Sequence, residues 1–295
     1  MIKEIKSIKN IKIIENIDLE KYTSYKLKGK ASILVMPENL NALINVIKVC
    51  QENDYKCKII GGCSNLIFAG DYDGVLIRLD HFNSLKINDT KIQVGAGYNL
   101  MSLALKVSRL GLTGMEFATG IPGTVGGAII NNSGAYKSDM GYIVESVTVL
   151  TPSLEVKKMY NKELQYHYRD SFFKHNLGYV ILEANIVLKH GKKDEIMEVI
   201  EDRKKRRLMS QPLEFPSAGS VFRNPPDNFA GKLIEDIGYK GKVINGAKVS
   251  EKHANFIVNV GHAEGQDIIN LIEEIKEKVK EKYNIDLILE QEIVR

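Results

Sequence analysis

Apolar residues recur at helical spacing in five stretches of this chain, and gather in short runs between them. Residues 39–52 put Leu40, Leu43, Ile44 and Ile47 on one face, which predicts a helix. Residues 99–110 read as a second. Ile196, Val199 and Ile200 mark a third from 194 to 208, and residues 229–237 a shorter fourth. Ile268, Leu271, Ile272, Ile275 and Val279 mark the last, from about 265 to 282. Lys58-Ile59-Ile60, Val75-Leu76-Ile77 and Ile92-Gln93-Val94 predict short strands. Residues 143–188 alternate in places (Val147, Val149), contain Val180-Ile181-Leu182, and read mostly as strands. A further strand is expected near Asn255-Phe256-Ile257-Val258, and a final one at Leu287-Ile288-Leu289. Gln211-Pro212 and Phe215-Pro216 punctuate the chain after the third helix. The layout is α+β, with a larger part first and a smaller part last.

Composition narrows the class. The chain has 295 residues, 44% of them hydrophobic, enough for two or three ordinary domains. No apolar run reaches the roughly 20 residues of a membrane helix. The start, Met1-Ile2-Lys3-Glu4-Ile5-Lys6, has no apolar signal core, so a cytoplasmic protein is expected. Three cysteines without a CxxC pair argue against a disulfide framework or a structural zinc. Six histidines form neither HxH nor HExxH, so no metal is expected. A net charge of +4 does not point to nucleic acid. The dense run Arg203-Lys204-Lys205-Arg206-Arg207 reads as the basic last turn of a helix, or as a rim attracting an anionic substrate. No protein partner is implied.

Glycine locates the chemistry. Thirteen of 24 glycines lie between residues 61 and 134. Gly114 to Ala128 holds five of them, among apolar side chains, and Gly61-Gly62-Cys63-Ser64-Asn65 lies upstream. Glycine-rich backbone can present amide groups closely to phosphate. Two such loops suggest a pyrophosphate held between them, hence a dinucleotide. Neither is a Rossmann fingerprint, since Gly95-Ala96-Gly97 lacks its third glycine; there is no GxxxxGK[ST] and no GxSxG.

The two loops, Gly61-Gly62-Cys63-Ser64-Asn65-Leu66 and Gly120-Ile121-Pro122-Gly123-Thr124-Val125-Gly126-Gly127-Ala128, resemble those of the UDP-N-acetylenolpyruvoylglucosamine reductase (UDP-N-acetylmuramate dehydrogenase) family. The likeness continues through Asn132-Ser133-Gly134-Ala135-Tyr136, Tyr168-Arg169-Asp170-Ser171-Phe172, Ser217 to Pro225, and Val249 to Phe256. It runs in register from about residue 22 to the end, and the length fits the type II form. The resemblance implies an FAD-binding domain of the vanillyl-alcohol oxidase type, made of two α/β subdomains, followed by a smaller α+β substrate-binding domain. The expected division is an N-terminal segment 1–20, an FAD domain 21–192, a bridging helix 193–210 and a substrate domain 211–295.

It also implies a reaction. NADPH is the co-substrate. Reduced FAD gives hydride to the enolpyruvyl ether of UDP-N-acetylglucosamine enolpyruvate, yielding UDP-N-acetylmuramate for peptidoglycan synthesis and so for cell-wall growth and division. Gly61, Gly62, Cys63, Ser64, Asn65, Leu66, Gly123, Thr124, Gly126, Gly127, Ser133 and Ala135 are the implied FAD contacts. Ser220 is the implied proton donor, Arg169 the partner of the substrate carboxylate, and Glu292 the third catalytic group. Arg223, Asn224, Lys232, Lys248 and Asn255, with Lys252 nearby, are implied for the nucleotide sugar.

Read without the family, Ala218-Gly219-Ser220 is a turn and Arg169 a salt-bridge arginine. Strand alternation alone does not choose between Glu290 and Glu292. The chain departs from the family pattern at Cys63, Asn131, Ser133 and Lys137, and past Glu292. A flavin oxidase of the same fold, or a flavin-binding protein without turnover, are the competing readings.

Overall fold

The computed structural model describes residues 1–295. The chain divides into two compact units, each discontinuous in sequence. The first comprises Met1–Glu15, Ile33–Gly62 and Gly74–Lys205; the second comprises Asn16–Ser32, Cys63–Asp73 and Arg206–Arg295. This differs from the contiguous division expected at 192 and 210. Hydrogen bonds explain the difference. The Asn259 side-chain amide donates to the carbonyls of Tyr25 and Lys26, both at 3.0 Å. Leu66–Phe68 pairs in parallel with Glu292–Val294. Two early segments are thus tied to the end of the chain.

The first unit centres on an antiparallel five-stranded sheet. Its order is Val156–Tyr160, Val144–Leu150, Val180–Val187, Lys91–Gly95, Leu85–Asn88. Val94, Val147, Val149, Ala184 and Ile186 are buried in its core. The predicted helices form as Leu40–Glu52 and Leu100–Arg109. Each is started by an asparagine whose side chain takes a backbone N–H of the first turn: Asn39 from Ala42 at 2.9 Å, and Asn99 from Ser102 at 2.8 Å. In the first helix the buried stripe is Ala42, Leu43, Val46 and Cys50, rotated from the face expected, with Ile44 and Ile47 half-buried. Cys57–Ile60 runs parallel to Tyr72–Arg78, with Ile60 opposite Arg78, and leads straight into Gly61-Gly62.

Lys193–Ser210 is a helix longer than its apolar pattern suggests. Only Ile196 and Ile200 are buried, and Val199 is exposed. The basic run occupies mid-helix rather than the last turn. There the Arg203 guanidinium sits 4.6 Å from the centre of the Tyr136 ring.

The second unit packs around Gly265–Tyr283. Ile268, Leu271, Ile272, Ile275 and Val279 are fully buried, as the sequence pattern requires. Each such aliphatic contributes about 1.5–3 kcal/mol by leaving water, which outweighs any helix propensity in this Lys/Glu-rich segment. The helix opens with a capping box in which Glu264 N–H donates to Asp267 at 2.9 Å. Beside it lies a three-stranded antiparallel sheet of Val243–Ile244, Ala247–Val249 and Ile257–Asn259.

The last strand is not Leu287-Ile288-Leu289. That segment makes a single bridge, Leu289 to Phe222, and the regular strand is Glu292–Val294. The chain changes pairing partner at Gln291, so neither half extends into a longer ladder. No helix is long and apolar enough to cross a membrane.

Gly265 tests this packing. A Cβ there would lie 1.8 Å from the Phe68 carbonyl oxygen, inside the strand that pairs with the chain end. Gly265→Ala should destabilise the protein by roughly 1–3 kcal/mol, the usual scale of overpacking, seen as a lower urea midpoint. An unchanged midpoint would mean that this helix start is not seated on Phe68.

Candidate active site

In the first unit the two glycine loops meet. A Cβ on Gly62 would lie 2.9 Å from the Gly123 Cα, and one on Gly61 would lie 2.5 Å from Thr124 Oγ1. Backbone abuts backbone here, which only glycine at 62 permits. Gly123 itself has φ 123°, a conformation that L side chains rarely adopt. The sequence thus places both loops at one locus, as expected.

The second loop uses its amides differently from the expected phosphate nest. Thr124 caps the helix Val125–Ile130, its Oγ1 accepting from Gly127 N–H at 3.3 Å. Val125 N–H donates to the Tyr98 carbonyl at 2.9 Å and Gly126 N–H to the Ala96 carbonyl at 2.8 Å. Gly126 is needed for close packing, since its Cβ would meet Ala96 Cβ at 3.0 Å. Glu116 holds the loop's entry, accepting from Thr113 Oγ1 at 2.6 Å and Gly114 N–H at 2.9 Å.

Ser133 and Ala135 follow on a short hairpin, Gly134–Ala135 paired with Ser138–Asp139. Tyr136 and Lys137 form its turn at φ 55° and 61°. Two consecutive left-handed residues mark a type I′ turn, which explains why a glycine suits position 137 and why lysine there is strained. The Arg169 guanidinium donates to the Gly134 carbonyl and lies 5.2 Å from the Tyr168 ring centre. Lys174 holds the Arg169 carbonyl at 3.1 Å, fixing a backbone at φ 55°. Beside them, burial pushes the Asp139 carboxyl above its usual range, partly offset by a Gly141 backbone hydrogen bond and the Arg169 charge. Burial raises the Tyr166 phenol, and its hydroxyl has no hydrogen-bond partner. Arg169 is therefore half-buried among polar groups.

In the second unit the chain end carries the remaining candidates. Cys63 is buried at φ 50°. Asn65 Nδ2 donates to the Glu290 carbonyl at 3.1 Å, and the Asn65 carbonyl accepts Glu292 N–H at 2.9 Å. On the other side, Glu290 N–H donates to the Val221 carbonyl at 2.8 Å and Arg223 N–H to the Ile288 carbonyl at 2.9 Å. The segment carrying Glu290 and Glu292 therefore lies between the Asn65 loop and the Ser220 segment. Gln291 is buried, Glu290 half-buried and Glu292 exposed, and the chain bends at Gln291 between the two carboxylates. Gly219 has φ 78° with nothing within 4 Å of where a Cβ would lie, so its glycine serves the backbone turn into Ser220 rather than close packing.

The nucleotide-sugar candidates divide. Asn255 accepts Phe222 N–H at 3.0 Å and donates to the Phe222 carbonyl at 2.8 Å, so its amide is a buried framework clamp. Asn224 Oδ1 accepts Ala230 N–H at 3.0 Å at the start of a helix. Lys232 pairs with Asp236, Lys248 with Glu251 at 2.5 Å, and Lys252 with Glu214 at 3.7 Å. Arg223 is half-buried beside the Ser220 segment.

Residues 31–159 match the FAD binding domain family, and residues 211–294 match UDP-N-acetylenolpyruvoylglucosamine reductase, C-terminal domain. The UDP-N-acetylenolpyruvoylglucosamine reductase of Lactobacillus helveticus is 42% identical over 285 residues, covering 96% of this chain and 95% of that protein. The chain belongs to the UDP-N-acetylenolpyruvoylglucosamine reductase family. A Bacillus cereus member is 40% identical, over 96% of this chain and 95% of its own. The crystal structure of the Thermus caldophilus reductase superposes with a TM-score of 0.83 at 31% identity, covering 97% of this chain and all of that one. The fold of the family is therefore the fold here: an FAD-binding domain followed by the reductase C-terminal domain.

The first unit fits that cofactor. The Gly62–Gly123 contact packs two side-chain-free stretches of backbone together, the kind of surface that a pyrophosphate can approach closely. Sequence reasoning missed Glu116, which holds the entry of the second glycine loop, and Tyr25 and Gln291, which hold the Ala218-Gly219 turn. Their partners lie elsewhere in the chain or on the backbone, and no motif spacing marks them.

Asn255→Ala should lower stability by roughly 1–3 kcal/mol, because it strands a buried N–H and carbonyl of Phe222. The denaturant midpoint measures this. A midpoint equal to that of the unmodified protein would show the clamp to be dispensable.

Proposed function

We propose that this chain is a cytoplasmic, FAD-containing oxidoreductase that uses NADPH to reduce UDP-N-acetylglucosamine enolpyruvate to UDP-N-acetylmuramate for peptidoglycan synthesis. The observation that carries the reading is 38–42% identity to reductases of this name over nearly the whole chain. Within the first unit the half-buried setting of Arg169, and within the second the hydrogen-bonded segments that carry Ser220 and Glu292, support it.

The two glycine loops would hold FAD, which, when bound and reduced with NADPH, would supply the hydride chemistry for the enolpyruvyl group. The chain's own residues supply orientation, charge and a proton. Arg169 carries a permanent charge whose position is set by Gly134 and Tyr168, and it pairs with the substrate carboxylate as negative charge builds there. Ser220 delivers its hydroxyl proton to the carbon next to that carboxylate. A serine hydroxyl is a weak acid, so this transfer depends on a stabilised anion and a fixed position. Glu292, in the last strand, helps polarise the intermediate through a hydrogen bond. Arg223, Lys232 and Lys248 serve the diphosphate, the lysines exchanging a carboxylate partner for phosphate, and Asn224 adds an amide. Asn255 supports this set through Phe222. Gly61, Gly62, Cys63, Ser64, Asn65 and Leu66 line the first FAD loop; Gly123, Thr124, Gly126, Gly127, Ser133 and Ala135 form the second.

The test is anaerobic. NADPH should bleach the flavin band of the purified protein, and UDP-N-acetylglucosamine enolpyruvate should restore it. Bleaching without return would move the function to another acceptor. Ser220→Ala should be reduced by NADPH at about the normal rate, yet be reoxidised by substrate roughly 10²–10⁴-fold more slowly. Equal loss in both half-reactions would contradict a proton-donor role. Arg169→Ala should keep its FAD and lose roughly 10²–10³-fold in reoxidation. A colourless variant would make Arg169 structural.

A further inference from the structure

Tyr25 and Gln291 are 266 positions apart and form one buried network. The Tyr25 hydroxyl donates to Gln291 Oε1 at 2.9 Å. Gln291 Nε2 donates to two consecutive carbonyls, Ala218 and Gly219, both at 3.0 Å. Tyr25 is fully buried and Gln291 is 3% exposed. The next residue after Gly219 is Ser220, and the next after Gln291 is Glu292. One side-chain amide therefore ties together the two segments that carry these residues.

Each atom of that amide has a fixed duty. Burial holds the Tyr25 phenol protonated well beyond its usual range, and its oxygen also takes a backbone hydrogen bond from Ala218. Its proton is thus directed at Gln291 Oε1, which leaves the Nε2 hydrogens for the two carbonyls. Gly219 sits at φ 78° with no neighbour within 4 Å of where its Cβ would be. Beyond it, Val221 is fixed by backbone bonds to Asn255 and Glu290 at 2.9 and 2.8 Å. Ser220 lies between a segment gripped by Gln291 and a segment gripped by Asn255 and Glu290.

We propose that Gln291, oriented by Tyr25, is a positioning residue that sets the Ser220 hydroxyl relative to the Glu292 strand for proton delivery. This rests on the proton-donor reading of Ser220 given above. The clamp acts on proton transfer alone. Tyr25 and Ala218 also sit in the apolar core around Gly265–Tyr283, so the test removes their hydrogen bonds while keeping side-chain volume.

The test uses the flavin-loaded protein and Gln291→Met, which keeps the length and removes every hydrogen bond. NADPH reduction should be unchanged. Reoxidation at saturating substrate should fall about 10–100-fold, with the half-saturating substrate concentration within about threefold of normal. Amide exchange in residues 217–221 should quicken at least tenfold, with the helix 265–283 as protected as before. Tyr25→Phe should give a smaller fall, about 3–10-fold, and add nothing when combined with Gln291→Met. If Gln291→Met does not accumulate folded, Tyr25→Phe decides by the same readings.

Normal reoxidation in the variants, or equal losses in both half-reactions, would overturn the proposal. So would exchange that quickens across the whole unit. Ser220→Ala run in parallel separates the premise from the clamp. A normal Ser220→Ala would remove the premise, and the proposal with it. A crippled Ser220→Ala beside normal Gln291→Met and Tyr25→Phe would defeat the clamp alone.

Discussion

Backbone hydrogen bonding along residues 288–294 is the constraint on which the second unit depends. This segment bonds to Val221 and Arg223 first, then changes partner to Asn65 and the strand Leu66–Phe68. A backbone group shut away from water without a partner is expensive, so a segment packed between two neighbours is stable only if its amides find partners on them. Changing partners at Gln291 meets that demand with a strand only three residues long. The consequence is that Ser220, Glu292 and the Asn65 loop are held by one stretch of chain. Neither end of that arrangement can move without breaking a buried bond.

The first unit solves a different problem. Its two glycine loops must come within touching distance while one of them starts a helix. Glycine at 62 removes the Cβ that would strike Gly123, and glycine at 126 lets the helix pack on Ala96. The amides of that helix start are satisfied by Tyr98, Ala96 and Thr124, which makes the second loop rigid scaffold. Glycine density marked two loops that do meet, and part of the reason is packing.

The long helices were legible because each carries its own signal. Leu40–Glu52 and Leu100–Arg109 have apolar periodicity plus asparagine caps, and Gly265–Tyr283 has five aliphatics on one face. The family resemblance supplied the candidate site residues because their motifs are contiguous. What could not be read was long-range. Nothing local tells Gln291 that it will meet Ala218, or Tyr25 that it will meet Gln291. The last strand was placed at 287–289 because those residues are apolar, whereas pairing selected 292–294. The position of Asn255 beside a nucleotide-sugar motif suggested a ligand, but its buried amide is occupied by Phe222.

Native-state hydrogen exchange at Glu290 and Glu292 tests the central point most directly. If the chain end is core, both amides should be about as protected as Ile272 in the buried helix, and open only with the whole unit. Exchange of both near the rate of an unstructured peptide, while Ile272 stays protected, would show a frayed terminus. Ser220 and Glu292 would then not be held together by the chain end.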